Sequence, residues 1–175
     1  MHGINESLTF EPIGIAVLTV SDTRTLDNDT SGGTLAERIT VAGHRLADRA
    51  ILPDDRDRIR AQIIEWSSRE DIAAIITTGG TGLTGRDVTV EAIQPLFDKE
   101  IDGFSVIFHM VSYESVGLST LQSRACAGIV SETFVFCLPG STGAVKDGWD
   151  KVIAAQLDSR HKPCNLVEIL PRLSE

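Results

Sequence analysis

Ile72-Ala73-Ala74-Ile75-Ile76-Thr77-Thr78-Gly79-Gly80-Thr81-Gly82-Leu83-Thr84-Gly85-Arg86-Asp87 sets the architecture of this chain. Ile72–Thr77 is dense in β-branched residues and has no polar face. That pattern predicts a strand buried on both sides. Thr78–Arg86 is a glycine and threonine loop, and Val88–Phe97 after it has helical spacing. Strand, glycine loop and helix together form one unit of a parallel sheet whose connections are helices.

The flanking sequence repeats the alternation. Ile13–Val20, Leu46–Leu52 and Thr133–Leu138 read as further strands. Thr34–Ala42, Asp55–Ser67, Phe104–Ser115 and Thr142–Leu157 read as helices, the first entered through Ser31-Gly32-Gly33. The expected fold class is α/β: three layers, with a mainly parallel sheet and helices on both faces. A chain of 175 residues suits a single domain over 1–175, and residues 1–12, polar and mixed, are expected to be a flexible N-terminus.

Composition narrows the function. The formal charge of −9 and a pI near 4.9 argue against a nucleic-acid binder, which needs a basic footprint for phosphates. A small anionic ligand in a locally basic pocket is still compatible. Met1–Pro12 lacks a basic stretch followed by an apolar one, and no apolar run approaches the ~20 residues of a membrane helix. Cys126, Cys137 and Cys164 are odd in number and widely spaced, which fits reduced thiols and offers no zinc set. The expectation is a cytoplasmic protein with neither a membrane nor a nucleic-acid partner.

In open α/β sheets ligands collect where loops leave the C-terminal ends of strands. Four loops qualify: Ser21–Gly33, Pro53-Asp54-Asp55, Thr78–Asp87 and Pro139–Gly143. The glycines of the third let backbone N–H groups approach an anion, and its threonines add hydroxyl donors. Gly80-x-Gly82-x-x-Gly85 matches a dinucleotide fingerprint in letters, but it follows the third strand, and the acid Asp87 at the helix start would repel a pyrophosphate. Asp87 is either a helix N-cap or first-turn acid or a carboxylate that meets phosphate through Mg²⁺. Asp54 is either the cap of the next helix or a second crevice carboxylate. In Leu138-Pro139-Gly140-Ser141-Thr142, Ser141 or Thr142 either caps the last helix or binds phosphate there. Arg24, Arg86, Arg124 and Lys146 lie near the strand ends. His2, His44, His109 and His161 are scattered, with no metal-binding pair.

The ordered set Thr19-Val20-Ser21-Asp22, Asp29-Thr30-Ser31-Gly32, Pro53-Asp54, Thr77–Gly82, Arg86-Asp87-Val88-Thr89 and Leu138–Ser141 resembles the MoaB/MogA family of molybdenum cofactor biosynthesis. Ser119–Ala125 and the tail from Asp158 to Asn165 resemble the MoaB branch, and the likeness runs from about Ile13 to Asn165. The resemblance implies a molybdopterin-binding domain. Active members join the terminal phosphate of molybdopterin, the substrate, to the α-phosphate of ATP, the co-substrate, with Mg²⁺. Carried over by motif, Thr78, Gly79, Gly80, Thr81 and Gly82 would cradle the pterin and its phosphate. Asp87 would be the Mg²⁺-linked catalytic carboxylate and Asp54 its catalytic and metal-binding partner. Gly140, Ser141, Ser21, Ser123 and Arg124 would line the site. Active members often carry Pro-Gly-Asn/Gln-Pro where this chain has Pro139-Gly140-Ser141-Thr142. The resemblance further implies a homotrimer or homohexamer. Its non-enzymatic alternative is a molybdopterin carrier of the same fold.

Overall fold

A computed structural model describes residues 3–175. The strands are β1 (Gly3–Ile4), β2 (Gly14–Val20), β3 (Arg45–Leu52), β4 (Ala74–Thr78), β5 (Lys99–Glu100), β6 (Cys126–Val130), β7 (Thr133–Leu138) and β8 (His161–Lys162). The α-helices are α1 (Thr30–Val41), α2 (Arg56–Ser67), α3 (Thr89–Ile93), α4 (Asp102–Val116), α5 (Thr142–Gly148) and α6 (Ala154–Leu157). A π-helical turn, Trp149–Ile153, joins the last two, so the long helix expected from Thr142 to Leu157 forms as a single helical run. None of the helices is long and apolar enough to cross a membrane among the described residues.

The main sheet has the order β3-β2-β4-β7-β6-β5. Its first four strands are parallel, whereas β6 and β5 run antiparallel to their neighbours. β2 and β4 are buried along their whole lengths because helices cover both faces. Alternation along β2 divides the core. Ile15 and Val17 pack with Leu35, Phe108 and Trp149 on one face, and Ala16, Leu18 and Val20 pack with Ile59, Ile63 and Trp66 on the other. This three-layer arrangement is the one expected.

Several local expectations needed correction. The helix expected over Val88–Phe97 is only α3, followed by a 3₁₀ turn at Gln94–Leu96 and an extended Phe97. Pro95 lacks an N–H, so the α-helix stops ahead of it. The antiparallel strands β5 and β6 were not anticipated. Cys126-Ala127-Gly128 offers small residues rather than a β-branched run, and Gly128 is where the Phe97 ring lies against the backbone. α1 begins four residues earlier than expected, at Thr30, because Asp29 caps it by accepting from the Gly32 N–H (2.9 Å). In the N-terminal segment, β1 pairs antiparallel with β8, and Phe10 lies against His44 and beneath the Arg160 guanidinium. His2 lies outside the described residues.

Candidate functional site

Parallel order brings the C-terminal ends of β2, β3, β4 and β7 to one edge of the sheet. The loops leaving β2, β4 and β7, closed by the end of α4 and the turn after it, form a cleft of about 630 Å³, whereas the β3 loop with Asp54 does not line it and meets the glycine loop at Gly80 from beside it. Its floor is Thr78, Gly79, Gly80, Thr81 and Gly82, and its sides carry Ser21, Arg24, Asp87, Ser123, Gly140 and Ser141.

The glycine loop is tied down at several points. Gly79 N–H donates to the Leu138 carbonyl (3.0 Å), and the Thr78 hydroxyl donates to the Pro139 carbonyl (3.0 Å). Thr89 in α3 holds the turn twice, through its hydroxyl to Gly79 O (2.8 Å) and its N–H to Gly80 O (3.0 Å). Gly80 has φ +64°, and a Cβ there would overlap the Thr89 hydroxyl. Only glycine fits without strain. The N–H groups of Gly80 and Thr81 make no hydrogen bond among the described residues, leaving two donors in the loop for an anion.

Asp54 and Asp87 both reach this loop. Asp55, not Asp54, caps α2: its carboxylate accepts from the N–H groups of Asp57 and Arg58 (3.0 Å each). Asp54 is thereby free of the helix, and a Cβ on Gly80 would stand 3.1 Å from its Oδ1. Burial pushes the Asp54 carboxyl above its ordinary value, and the Asp87 charge pushes it further. Asp87 does not cap α3, whose capping position is Val88. Its Oδ2 accepts from the Thr84 hydroxyl (2.6 Å) and the Thr84 N–H (2.9 Å). The Thr84 hydroxyl is the main reason that Asp87 lies below its ordinary value, and it outweighs burial with help from the Thr84 and Gly82 N–H groups and Arg124. A Cβ on Gly82 would sit within 3.0 Å of both Asp87 oxygens, so this carboxylate also faces the loop.

Other residues divide between binding surface and scaffold. Ser21 Oγ accepts from the N–H groups of Thr23 and Arg24 (3.3 Å each) at the end of β2. Ser141 caps α5 by accepting from Ala144 N–H (3.1 Å), and Gly140 packs over Gly79. The Ser123 hydroxyl is buried without a partner between this cleft and a neighbouring one of about 750 Å³. Arg124 is engaged elsewhere. Its guanidinium donates to the carbonyls of Thr81 (3.3 Å), Gly82 (2.9 Å) and Asp87 (3.1 Å) and pairs with Glu91, so its charge clamps the loop from outside. Arg24 reaches the cleft, where its Nη1 donates to Asn28 O (2.9 Å).

Two residues matter more than the sequence suggested. Asp22 accepts from the Asp54 N–H (3.2 Å) and pairs with Arg86, linking three of the four loops. Its place two residues past β2, at the end of the Thr19-Val20-Ser21-Asp22 motif, was the available signal. Asp29 is buried, where it accepts from Thr19 Oγ1 (2.7 Å) and pairs with Arg49 (2.9 Å).

The cleft therefore offers oxygen ligands for a cation beside backbone donors for an anion. Residues 16–159 match the family model described as "Probable molybdopterin binding domain". The chain is 48% identical over 159 residues to molybdenum cofactor biosynthesis protein B of Escherichia coli K12, covering 91% of this chain and 94% of that protein. A crystal structure of a molybdenum cofactor biosynthesis protein B superposes with TM-score 0.84 at 38% identity, covering 93% of this chain and 96% of the other. The tungsten cofactor synthesizing protein MoaB from Pyrococcus furiosus gives 0.76 at 35%, covering 94% and 99%.

Proposed function

The chain belongs to the molybdopterin-binding domain family of molybdenum cofactor biosynthesis proteins, and from that membership we propose that it adenylylates molybdopterin with Mg-ATP as co-substrate. In this reading the terminal phosphate of molybdopterin attacks the α-phosphate of ATP, forming adenylyl-molybdopterin and releasing pyrophosphate. The observation that carries it is the convergence of Asp54 and Asp87 on one glycine loop, with neither used as a helix cap.

The donor set suits Mg²⁺. Among the described residues no group of three or more His, Cys, Asp or Glu gathers to hold a metal alone. Mg²⁺ commonly takes one or two carboxylates and fills its shell with water and substrate phosphate. Asp54 and Asp87 would hold it, and when bound it would neutralise phosphate charge. The remaining work is positioning. The Gly80 and Thr81 N–H groups would hold the molybdopterin phosphate, and Ser21 and Gly140 would border it. Fixing two phosphates in line removes an entropic barrier without a covalent enzyme intermediate. Mixing the protein with molybdopterin and Mg-ATP should release pyrophosphate in proportion to molybdopterin, and ATP alone should release none.

A carrier of the same fold is the second reading, favoured by the use of Asp87 as a brace for Thr84. It predicts molybdopterin binding that Mg-ATP does not alter and no pyrophosphate. In either case we expect a cytoplasmic homotrimer or homohexamer. Val106, Met110 and Tyr113 on α4, with Leu118 and Leu121 just beyond it, form an exposed apolar surface available for self-association.

A further inference from the structure

Cys126 and Cys137 stand directly opposite each other on the antiparallel strands β6 and β7. Opposed residues of such a pair leave the sheet on the same face, with Cβ atoms about 4.5–5.5 Å apart. A disulfide needs about 3.8 Å, a closure on the order of 1 Å. Both side chains belong to the core beneath α2 and α3, but they differ in access. Cys137 is fully buried, whereas Cys126 is part-exposed and lines the cleft of about 750 Å³ beside Arg124. The side chain of Cys137 holds the Cys126 thiol below its ordinary value, against the effect of burial, and Arg124 adds to the lowering while Glu100 and Glu91 oppose it. Cys137 is pushed well up, by Cys126 first and then by burial.

We propose that Cys126 and Cys137 are a redox-active dithiol, in which Cys126 meets a hydroperoxide first and Cys137 resolves the product as an intramolecular disulfide. The Cys126 thiolate attacks the terminal peroxide oxygen. The O–O bond breaks, Cys126 becomes a sulfenic acid, and the departing alkoxide or hydroxide takes up the proton that the Cys126 thiol released. The Cys137 sulfur then attacks the Cys126 sulfur, the S–O bond breaks, and water leaves with the Cys137 proton. Two thiols and one hydroperoxide thus give one disulfide, one alcohol or water from the peroxide, and one further water. The bridge would lie two residues from Arg124 and one from Leu138, both of which anchor the glycine loop. Reduced and oxidised forms would therefore differ at the floor of the cleft. This chemistry does not depend on the activity proposed above.

The test treats the native full-length chain with equimolar hydrogen peroxide and maps its thiols by non-reducing peptide mass spectrometry. Expected is a Cys126–Cys137 linked peptide from a single chain, with both thiols lost together and recovered with dithiothreitol. A Cys164→Ser variant should behave identically. Cys137→Ala should stop at a Cys126 sulfenic acid that dimedone traps, and Cys126→Ala should leave Cys137 unreacted. Wild-type mapping alone is decisive if Cys137→Ala fails to fold. Oxidation confined to Cys164, or Cys126 advancing to sulfinic acid without a bridge, overturns the proposal.

Discussion

Asp54 and Asp55 are neighbours with the same side chain, yet only Asp55 caps α2. Both precede the same helix, so spacing alone could not divide the roles. What divides them is which carboxylate reaches the N–H groups of Asp57 and Arg58. The freed Asp54 is held in an environment that disfavours its charge. A carboxyl whose folded pKa is raised binds its proton more tightly in the folded state. Its contribution favours folding at low pH and is lost as pH rises from the unfolded value through the raised folded one. Asp54→Asn should therefore melt slightly higher than wild type at neutral pH while adenylyl transfer falls at least ~100-fold, a loss of the size seen when one electrostatic contact to a transition state is removed. Lower stability with activity intact would assign Asp54 to the scaffold. Asp87→Asn removes the neighbouring charge, so the Asp54 carboxyl resonance should titrate at lower pH by NMR. An unchanged titration would mean the two groups do not interact.

Among the elements, the parallel strands were the most legible because burial on both faces leaves a continuous apolar run, as in Ile15–Leu18 and Ala74–Ile76. The antiparallel edge was not legible. β6 opens with the small residues Cys126-Ala127-Gly128 and has only Ile129 and Val130 as a β-branched pair, and it turns into β7 through two residues, of which Ser131 adopts φ +56° and donates its N–H to Asp98 (2.7 Å). Contacts of that kind between distant residues leave no local periodicity. α1 shows the same limit, because its start depends on a buried acid. Asp29 lies below its ordinary value although burial pushes it up, since hydrogen bonds from Thr19, Gly32 and Arg49 outweigh that penalty. Its stabilisation is present above the unfolded pKa and is lost as pH falls through the depressed folded one. Asp29→Ala should cost about 3 kcal/mol in urea denaturation at neutral pH, because the cap is lost and Arg49 is left without its partner. A cost below about 1 kcal/mol would show that the ion pair contributes little to α1.

At the scale of the whole molecule, the net charge of −9 coexists with a cleft whose floor presents the N–H groups of Gly80 and Thr81 and whose side carries Arg24, so its local potential differs from that of the surface as a whole. Fold class followed from the alternation of strands and helices. The gathering of the β2, β4 and β7 loops at one sheet edge followed from the parallel order, and family membership from the ordered motifs across the chain. The state of Arg124 did not follow, because its partners are backbone carbonyls that no residue pattern encodes. Assembly is open to a direct check. The wild type is predicted to sediment as a trimer or hexamer and a chain carrying both Met110→Glu and Leu121→Glu as a monomer, and an unchanged sedimentation coefficient would place the interface elsewhere. Adenylyl transfer through Asp87 can be followed with α-labelled ATP, molybdopterin and Mg²⁺. Wild-type protein is predicted to form labelled adenylyl-molybdopterin, and Asp87→Asn to form less than about 1% as much while still binding molybdopterin. Equal product from both proteins, or none from the wild type with molybdopterin bound, would contradict it.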